Sequence, residues 1–167
     1  CVAIGEAALD ANTNASDNTA IGKDALGACT TGGSNTAVGY QALESMVSGV
    51  NNTAVGRRAM DVCTGDRNTS IGMDSGDSLT SGSDNTSVGC GAGGNSPTTG
   101  DKNTTIGCLA QLSAGSGTYQ IALGYDARAT ADYGIAIGTG LLHRVYNVYN
   151  QNATWTRSSD ERLKKDI

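Results

Sequence analysis

A glycine recurs along this chain at nearly constant spacing, each time at the end of a short stretch of small and β-branched residues. The nine positions are Gly5, Gly22, Gly39, Gly56, Gly72, Gly89, Gly107, Gly124 and Gly138. By subtraction, successive glycines are separated by 17, 17, 17, 16, 17, 18, 17 and 14 residues. A repeat this short cannot bury a core of its own and becomes stable only when it stacks on its neighbours. The spacing therefore predicts an all-β fold, a parallel β-solenoid of about nine coils of 14–18 residues.

Six of these glycines end near-copies of one phrase, Asn-Thr-small-Ile/Val-Gly. The copies begin at Asn18, Asn35, Asn52, Asn68, Asn85 and Asn103, and end at Gly22, Gly39, Gly56, Gly72, Gly89 and Gly107. In an extended strand, Thr shares one face with Ile or Val, and the small residue shares the other with Gly. We expect these asparagines and glycines to form structural ladders, one residue per coil. The residues do not decide which strand face points into the coil.

Another small residue usually follows three positions after the glycine, as at Ala25 and Ala42, often with a larger aliphatic after it. A polar stretch rich in turn-forming residues completes each repeat. We therefore expect two short parallel strands per coil, joined by turns. At the strand spacing of roughly 4.8 Å, nine coils would be about 43 Å tall.

The composition suits a thin rod. The chain has 24 Gly and one Trp but no Phe, so the large side chains that fill a wide core are scarce. A net charge of −5, with no Lys/Arg cluster before Arg157, argues against a nucleic-acid partner. No apolar run approaches the roughly 18 residues needed to enter a membrane as a helix. The chain starts at Cys1 without a signal peptide, and we take it as part of a longer polypeptide.

A coil this thin buries too little apolar surface to offset the conformational entropy lost when its residues are ordered. Hydrogen bonds between coils and ladders of stacked Asn and Thr account for part of the difference. A further apolar interface between chains is the expected source of the rest. The sequence therefore predicts a homo-oligomer.

The repeated phrase, with its downstream Ala-Leu, resembles the head repeats of trimeric autotransporter adhesins. Repeats of this kind also occur in phage and algal-virus fibres. The resemblance covers residues 2–140 and implies a left-handed parallel β-roll that assembles as a homotrimer. The last interval has the 14-residue length usual for the adhesin repeat, whereas most intervals here are about three residues longer.

The end of the chain, Ser159-Asp-Glu-Arg-Leu-Lys-Lys-Asp-Ile167, resembles a different family. It is similar to the opening of the C-terminal intramolecular chaperone domain of endosialidase-type phage tailspikes and fibres, Ser-Asp-x-Arg-x-Lys followed by x-Asn/Asp-Ile. The resemblance implies a domain that drives trimerisation and then cleaves itself from the fibre at the Ser158–Ser159 bond. Ser159 would be the nucleophile and Lys164 the general base.

The chemistry of such a pair is sound, because a lysine whose pKa is lowered by burial can activate a serine hydroxyl. Most of the chaperone is missing from this sequence, so nothing would bury Lys164 and we expect no enzymatic activity from this chain. The same residues also fit the start of a helix, with Ser158 or Ser159 as the N-cap. The two interpretations are compatible.

Residues 141–157 belong to neither pattern and are predicted to form a neck between the repeats of 1–140 and the chaperone start at 158–167. This stretch holds three of the seven aromatic residues of the chain, Tyr146, Tyr149 and Trp155. Val145 and Val148 could pack with the two tyrosines across subunits. His143 has no Cys or acidic partner at metal-binding spacing, and we expect it on the neck surface.

The five cysteines form no zinc motif, because no Cys-x₂-Cys pair occurs. Cys90 and Cys108 each follow a repeat glycine and would stack about 4.8 Å apart, inside the disulfide window of roughly 4.4–6.8 Å. An oxidising environment would permit a bridge, whereas assembly inside a host cell would keep the thiols reduced. Cys29 and Cys63 occupy equivalent sites two coils apart, which is too far to bridge.

Asparagines in Asn-x-Ser/Thr triplets are widespread, but most arise from the repeat phrase and are interpreted as ladder residues rather than glycosylation sites. They include Asn51, Asn68, Asn85, Asn103 and Asn152. The aspartates that precede the phrase are explained by turn formation, and no loop assembles the oxygen cage that calcium needs. Paired carboxylates, a His-centred triad and a phosphate-binding loop are also missing, so we expect no cofactor or metal.

These observations favour a structural segment of a trimeric viral tail fibre, located in the virion and able to contact a host-surface glycan or protein receptor. A bacterial surface adhesin of the autotransporter type is the alternative, and it explains the repeats equally well. An ice-binding solenoid is a weaker third candidate. The ice-binding face of such a solenoid favours Thr-x-Thr, with both threonines outward. Here each ladder threonine instead shares its strand face with Ile or Val.

Overall fold

The computed structural model describes residues 1–94, 99–113, 115–140, 143–148 and 156–157. These residues form one sheet of eleven strands and contain no helix. None of them lies in a helix that is long and apolar enough to cross a membrane. The strands are β1 (Val2–Ile4), β2 (Thr19–Ile21), β3 (Thr36–Val38), β4 (Thr53–Val55), β5 (Thr69–Ile71), β6 (Thr86–Val88), β7 (Thr104–Ile106), β8 (Ile121–Leu123), β9 (Gly134–Thr139), β10 (His143–Val148) and β11 (Thr156–Arg157).

Strands β1 to β9 are parallel, and each pairs with the next one along the chain. The register joins equivalent repeat positions, for example Thr36 with Thr53 and Val38 with Val55. One strand per repeat, stacked in sequence order, is a β-solenoid of about eight turns. The predicted parallel β-solenoid is therefore confirmed.

The small face of each strand points into the coil. Its central residue is buried in every strand from β2 to β9: Ala20, Ala37, Ala54, Ser70, Ser87, Thr105, Ala122 and Ala136. Side chains this small let the opposite wall of the coil approach closely, which explains how so thin a rod closes. The opposite wall contributes further alanines and the larger Leu26, Leu43 and Met60, all fully buried.

The prediction of a second strand in each coil is wrong. After the repeat glycine, residues in the left-handed conformation alternate with residues that are not. In the second coil φ is positive at Asp24 (58°) and Leu26 (52°), and the equivalent residues of other coils share this feature. The backbone N–H groups of this segment still form hydrogen bonds to neighbouring coils. The N–H of Leu26 donates to the carbonyl of Ala42 (3.0 Å), and the N–H of Asp24 donates to the carbonyl of Glu6 (2.9 Å). Left-handed residues bend the segment sharply. The bend lets the chain turn around a narrow coil, whereas an extended strand would be too straight to do so.

The repeat glycine is fixed by both conformation and space. In the six phrases its φ is +129° to +139°, a region that residues with a Cβ rarely adopt. At Gly72 an added Cβ would lie 2.6 Å from the carbonyl oxygen of Gly89 in the next coil. The glycine column is therefore a line of close approach between successive coils.

The sheet reverses direction at its C-terminal end. β10 pairs antiparallel with β9 over six residues, from His143 opposite Thr139 to Val148 opposite Gly134. β11 then pairs antiparallel with β10. The stretch predicted as a neck thus contributes two strands to the solenoid's own sheet. Whether its side chains pack across subunits stays a prediction, and Tyr149 and Trp155 lie outside the described residues.

Candidate functional site

The outer face of the strand column carries an apolar stripe, one β-branched or leucine side chain per coil. The stripe consists of Ile4, Ile21, Val38, Val55, Ile71, Val88, Ile106, Leu123 and Ile137. These residues are half-buried or exposed, and Ile71 and Ile106 retain 42% and 44% of their accessible surface. They point outward because the small face of the same strands fills the coil.

A threonine column runs parallel to the stripe on the same outer face. It consists of Thr19, Thr36, Thr53, Thr69, Thr86 and Thr104, all half-buried. In the last two parallel strands its place is taken by Ile121 and Ile135. The face is therefore part apolar and part hydroxyl-bearing over most of its length, and it is wholly apolar towards β9.

A continuous apolar surface of this length requires an explanation. Single exposed hydrophobic residues are normal on a soluble protein, but contiguous patches mark sites of interaction. The spacing along the stripe is that of neighbouring strands, about 4.8 Å, so the side chains form an uninterrupted ridge. We regard the outer strand face as the candidate functional site.

The ladder asparagines lie inside the coil, next to the strands that present the stripe. All six are buried. The side-chain oxygen of Asn35 accepts the backbone N–H of Asn52 in the next coil (2.8 Å), and its amide nitrogen donates to the carbonyl of Gly49 (2.8 Å). Both partners lie in the next coil, so each ladder asparagine forms two hydrogen bonds to its neighbouring coil.

The asparagine ladder continues one step beyond the repeated phrase. Gln120 is fully buried, and its N–H donates to the side-chain oxygen of Asn103 (2.8 Å). Sequence reasoning missed this residue because the phrase is degenerate there, although its place 17 residues after Asn103 was visible.

Burial also bears on glycosylation. The triplet asparagines Asn68 and Asn85 are enclosed by the coil, whereas Asn51 is exposed.

A largely exposed ridge of charged and aromatic side chains, from Arg67 to Tyr133, runs beside the asparagine ladder and precedes it by one residue in each of these repeats. Arg67 forms two hydrogen bonds to the carboxylate of Asp84 (2.6 and 3.1 Å), and this contact lowers the pKa of Asp84. Further along, Lys102 donates to the hydroxyl of Tyr119 (3.0 Å). The rings of Tyr119 and Tyr133 stack with centroids 5.0 Å apart. From the sequence, Asp84 was interpreted as a turn former, and the other residues of this ridge were assigned no role.

The cysteines divide into two environments. Cys29 and Cys63 are buried in the coil, and burial raises the pKa of both thiols, that of Cys63 to about 11. Cys90 and Cys108 are exposed free thiols on adjacent coils. The pKa of Cys108 is raised, first by desolvation and then by the neighbouring Cys90.

Several predicted site residues lie outside the described residues. These are Ser158, Ser159, Lys164, the proposed helix start and Asn152. His143 is the first residue of β10. Within the part of the chain that the structure describes, no group of three or more His, Cys, Asp or Glu residues is arranged to hold a metal ion.

Comparison with protein-family models, with curated proteins and with solved structures finds no match to this chain. Function must therefore be inferred from the geometry of the outer strand face and from the repeat itself.

Proposed function

We propose that this chain is a shaft segment of a homotrimeric viral tail fibre, in which the apolar stripe is the contact surface between copies. The observation that supports this proposal is the stripe: one aliphatic side chain per coil, half-buried or exposed, on the outer face of nine strands. Covering it would supply the apolar burial that a thin coil lacks.

A second copy of the same rod is the partner that fits this surface over its whole length. A ridge with a period of about 4.8 Å is matched continuously only by a surface with the same period. Parallel copies in register satisfy this condition at every coil. A closed ring of such copies covers every stripe, whereas an open pair leaves part of the surface exposed.

The viral assignment rests on the resemblance of the terminal segment, Ser159 to Ile167, to a fibre chaperone. In a trimer packed through the strand faces, the ridge with the Tyr119–Tyr133 stack would stay on the outside. Aromatic rings and ion pairs on a rigid surface are suitable contacts for a host glycan or protein. Attachment to a host surface is therefore the second part of the proposal.

The stripe can be tested by placing charge on it. Ile71→Lys with Ile106→Lys should convert the trimer of the intact gene product to monomer, because two lysines per chain would be buried without partners. The matched control is Val47→Lys with Val62→Lys, at equally exposed positions outside the strands (47% and 39%). Native mass spectrometry gives the stoichiometry. A monomeric unmodified product, or a control that dissociates equally, would contradict the proposal.

The fibre and the adhesin differ in the domains expected downstream of the repeats. A fibre precursor should continue into the rest of the chaperone and cleave itself at the Ser158–Ser159 bond, and Ser159→Ala should abolish that cleavage. An adhesin should continue into a coiled coil and a membrane β-barrel. The downstream coding sequence, with N-terminal sequencing of the released product, distinguishes the two. A positive thermal-hysteresis assay would instead favour the ice-binding alternative, which the outward threonine column makes worth testing.

A further inference from the structure

Among its described residues, the coil between Gly89 and Gly107 buries no aliphatic side chain larger than that of Ala92. Its interval is the longest, 18 residues. At the position where earlier coils carry Leu43 or Met60 it has Gly93, and the strands at its two ends bury Ser87 and Thr105 in place of alanine. One buried aliphatic cluster ends at Leu79 and the next begins at Ala110. This coil therefore lies between the two buried clusters.

Two exposed thiols lie at the ends of this coil. Cys90 follows Gly89 and Cys108 follows Gly107, so they occupy the same column on neighbouring coils. The backbones are in register there: Gly107 N–H donates to Val88 (2.8 Å) and Leu109 N–H donates to Cys90 (2.9 Å). Paired backbones at about 4.8 Å place the two Cα atoms within the range that disulfides span.

Side chains in this column reach one another from successive coils. Lys23 and Glu6 occupy the equivalent positions on the first two coils, and their side chains form an ion pair of 3.0 Å. The raised pKa of Cys108 has contributions from Cys90, which is consistent with neighbouring thiols. Both cysteines are exposed, so a soluble oxidant can reach them.

We propose that Cys90 and Cys108 form an intrachain disulfide that closes this coil when the folded rod enters an oxidising environment. The site is built by the repeat, because only a stacked pair of coils brings these residues together. A protein that folds in a reducing compartment would keep the thiols free and acquire the bridge after release. The bond would stabilise a coil whose described residues contribute little apolar burial.

The oxidant is a low-molecular-weight disulfide such as oxidised glutathione. One cysteine thiolate attacks a glutathione sulfur, which forms a mixed disulfide and releases one glutathione thiolate. The second cysteine thiolate then attacks the protein sulfur of that mixed disulfide and displaces the other glutathione. Two protein thiols are oxidised, one glutathione disulfide is reduced to two thiols, and two protons leave the protein.

The remaining cysteines do not compete within one chain. Cys29 and Cys63 are buried, and their raised pKa values suppress the reactive thiolate. Cys1 is exposed but lies at the other end of the solenoid. A test in the Cys1→Ser background therefore leaves Cys90 and Cys108 as the reactive pair.

The test is to incubate the folded Cys1→Ser protein with oxidised glutathione and to map its disulfides by mass spectrometry. We expect a peptide linkage between Cys90 and Cys108, and a thermal midpoint raised by roughly 5–10 °C, because the bridge restricts the unfolded chain. The matched controls add Cys90→Ser or Cys108→Ser and should show neither the linkage nor the rise.

Two results would overturn the inference. One is glutathione that remains attached to both cysteines without exchange, which would mean that the thiols cannot meet. The other is a covalent dimer on a non-reducing gel that disappears in either serine control, which would place the bridge between copies. Both readouts are independent of whether the protein belongs to a viral fibre.

Discussion

At the scale of single residues, the solenoid depends on side chains that satisfy backbone groups at the inner corner of each coil. Asn68 is representative: its oxygen accepts the N–H of Asn85 (2.9 Å) and its amide donates to the carbonyl of Gly82 (2.9 Å). The site is buried, so water cannot replace either partner. Asparagine suits the position because one short side chain supplies both a donor and an acceptor.

Asn68→Ala should therefore destabilise the protein by about 2–4 kcal/mol, because it leaves a buried N–H and a buried carbonyl without partners. Denaturant unfolding followed by circular dichroism measures the loss. Asn14→Ala is the matched control: Asn14 is exposed and outside the ladder, and its substitution should change stability by less than about 0.5 kcal/mol. Equal effects at the two positions would contradict a structural role for the ladder.

Cys63 gives the fold a pH dependence in the alkaline range. Burial raises the pKa of its thiol from the ordinary value of 9.0 to about 11. The unfolded chain therefore loses this proton at lower pH than the folded one. The associated stability is fully present below pH 9 and is lost as the pH rises towards 11, by about 1.4 kcal/mol per pH unit.

The measurement compares the native protein with Cys63→Ala in denaturant melts between pH 8 and 11. The stability difference between the two proteins should shift over this range in favour of the variant. A difference that stays constant with pH would mean that the thiol is solvated in the native state. The comparison removes contributions from other groups that titrate in the same range, because both proteins carry them.

At the scale of elements, each repeat combines a three-residue strand with a bent segment in which some residues adopt the left-handed conformation. The strand forms because Thr and Ile or Val favour extended backbone, and it ends at a glycine whose φ no other residue adopts easily. The segment after the glycine preserves the hydrogen bonds between coils but bends. Stability then varies from coil to coil with the side chains that fill the interior.

The polar coils around Ser70 and Ser87 provide a test of that variation. The hydroxyl of Ser70 is buried and has no hydrogen-bond partner among the described residues, whereas that of Ser87 accepts a hydrogen bond from Thr105 (2.9 Å). Ser70→Ala should therefore stabilise the protein by about 1 kcal/mol, and Ser87→Ala should destabilise it by about 1–2 kcal/mol.

The two substitutions remove the same atom from equivalent strand positions, so each is the control for the other. Thermal unfolding by calorimetry measures both. If the two variants change stability in the same direction by the same amount, hydroxyl pairing does not govern these coils, and the assignment of Ser70 as an unsatisfied group is wrong.

At the scale of the whole molecule, the nearly constant repeat turns a local preference into an extended surface. Each of the nine parallel strands presents its aliphatic residue in the same direction, so a feature that is minor in one coil becomes a stripe along the rod. Repeat proteins gain stability from contacts between neighbouring units. An outer stripe extends the same principle from coil–coil contacts to chain–chain contacts.

If the stripe joins copies, stability must depend on protein concentration. We expect the thermal midpoint of the intact product to rise by roughly 2–5 °C for each tenfold increase in concentration. The Ile71→Lys, Ile106→Lys variant should unfold at a lower midpoint that does not change with concentration. Differential scanning calorimetry over two decades of concentration measures both. A concentration-independent midpoint for the unmodified protein would contradict self-association.

Much of this architecture could be predicted from the residues. The period of the glycines established the solenoid, and the alternation in Asn-Thr-Ala-Val-Gly correctly grouped Thr53 with Val55 on one strand face. The second strand was wrongly predicted because Ala42-Leu43 has ordinary side chains, and nothing in them indicates the left-handed φ of Leu43 (53°). Such a conformation is imposed by the close stacking of neighbouring coils.

The sequence by itself determined the spacing of the coils, their stacking order and the residues that occupy equivalent positions, because a repeated phrase can satisfy its hydrogen bonds only in register. Only the tertiary structure decided which strand face is interior. Both faces are compatible with an extended strand, and the choice depends on the width of the closed coil. A narrow coil admits Ala54 but not Val55, so the aliphatic residues remain outside. The stripe, and with it the proposed function, results from that choice.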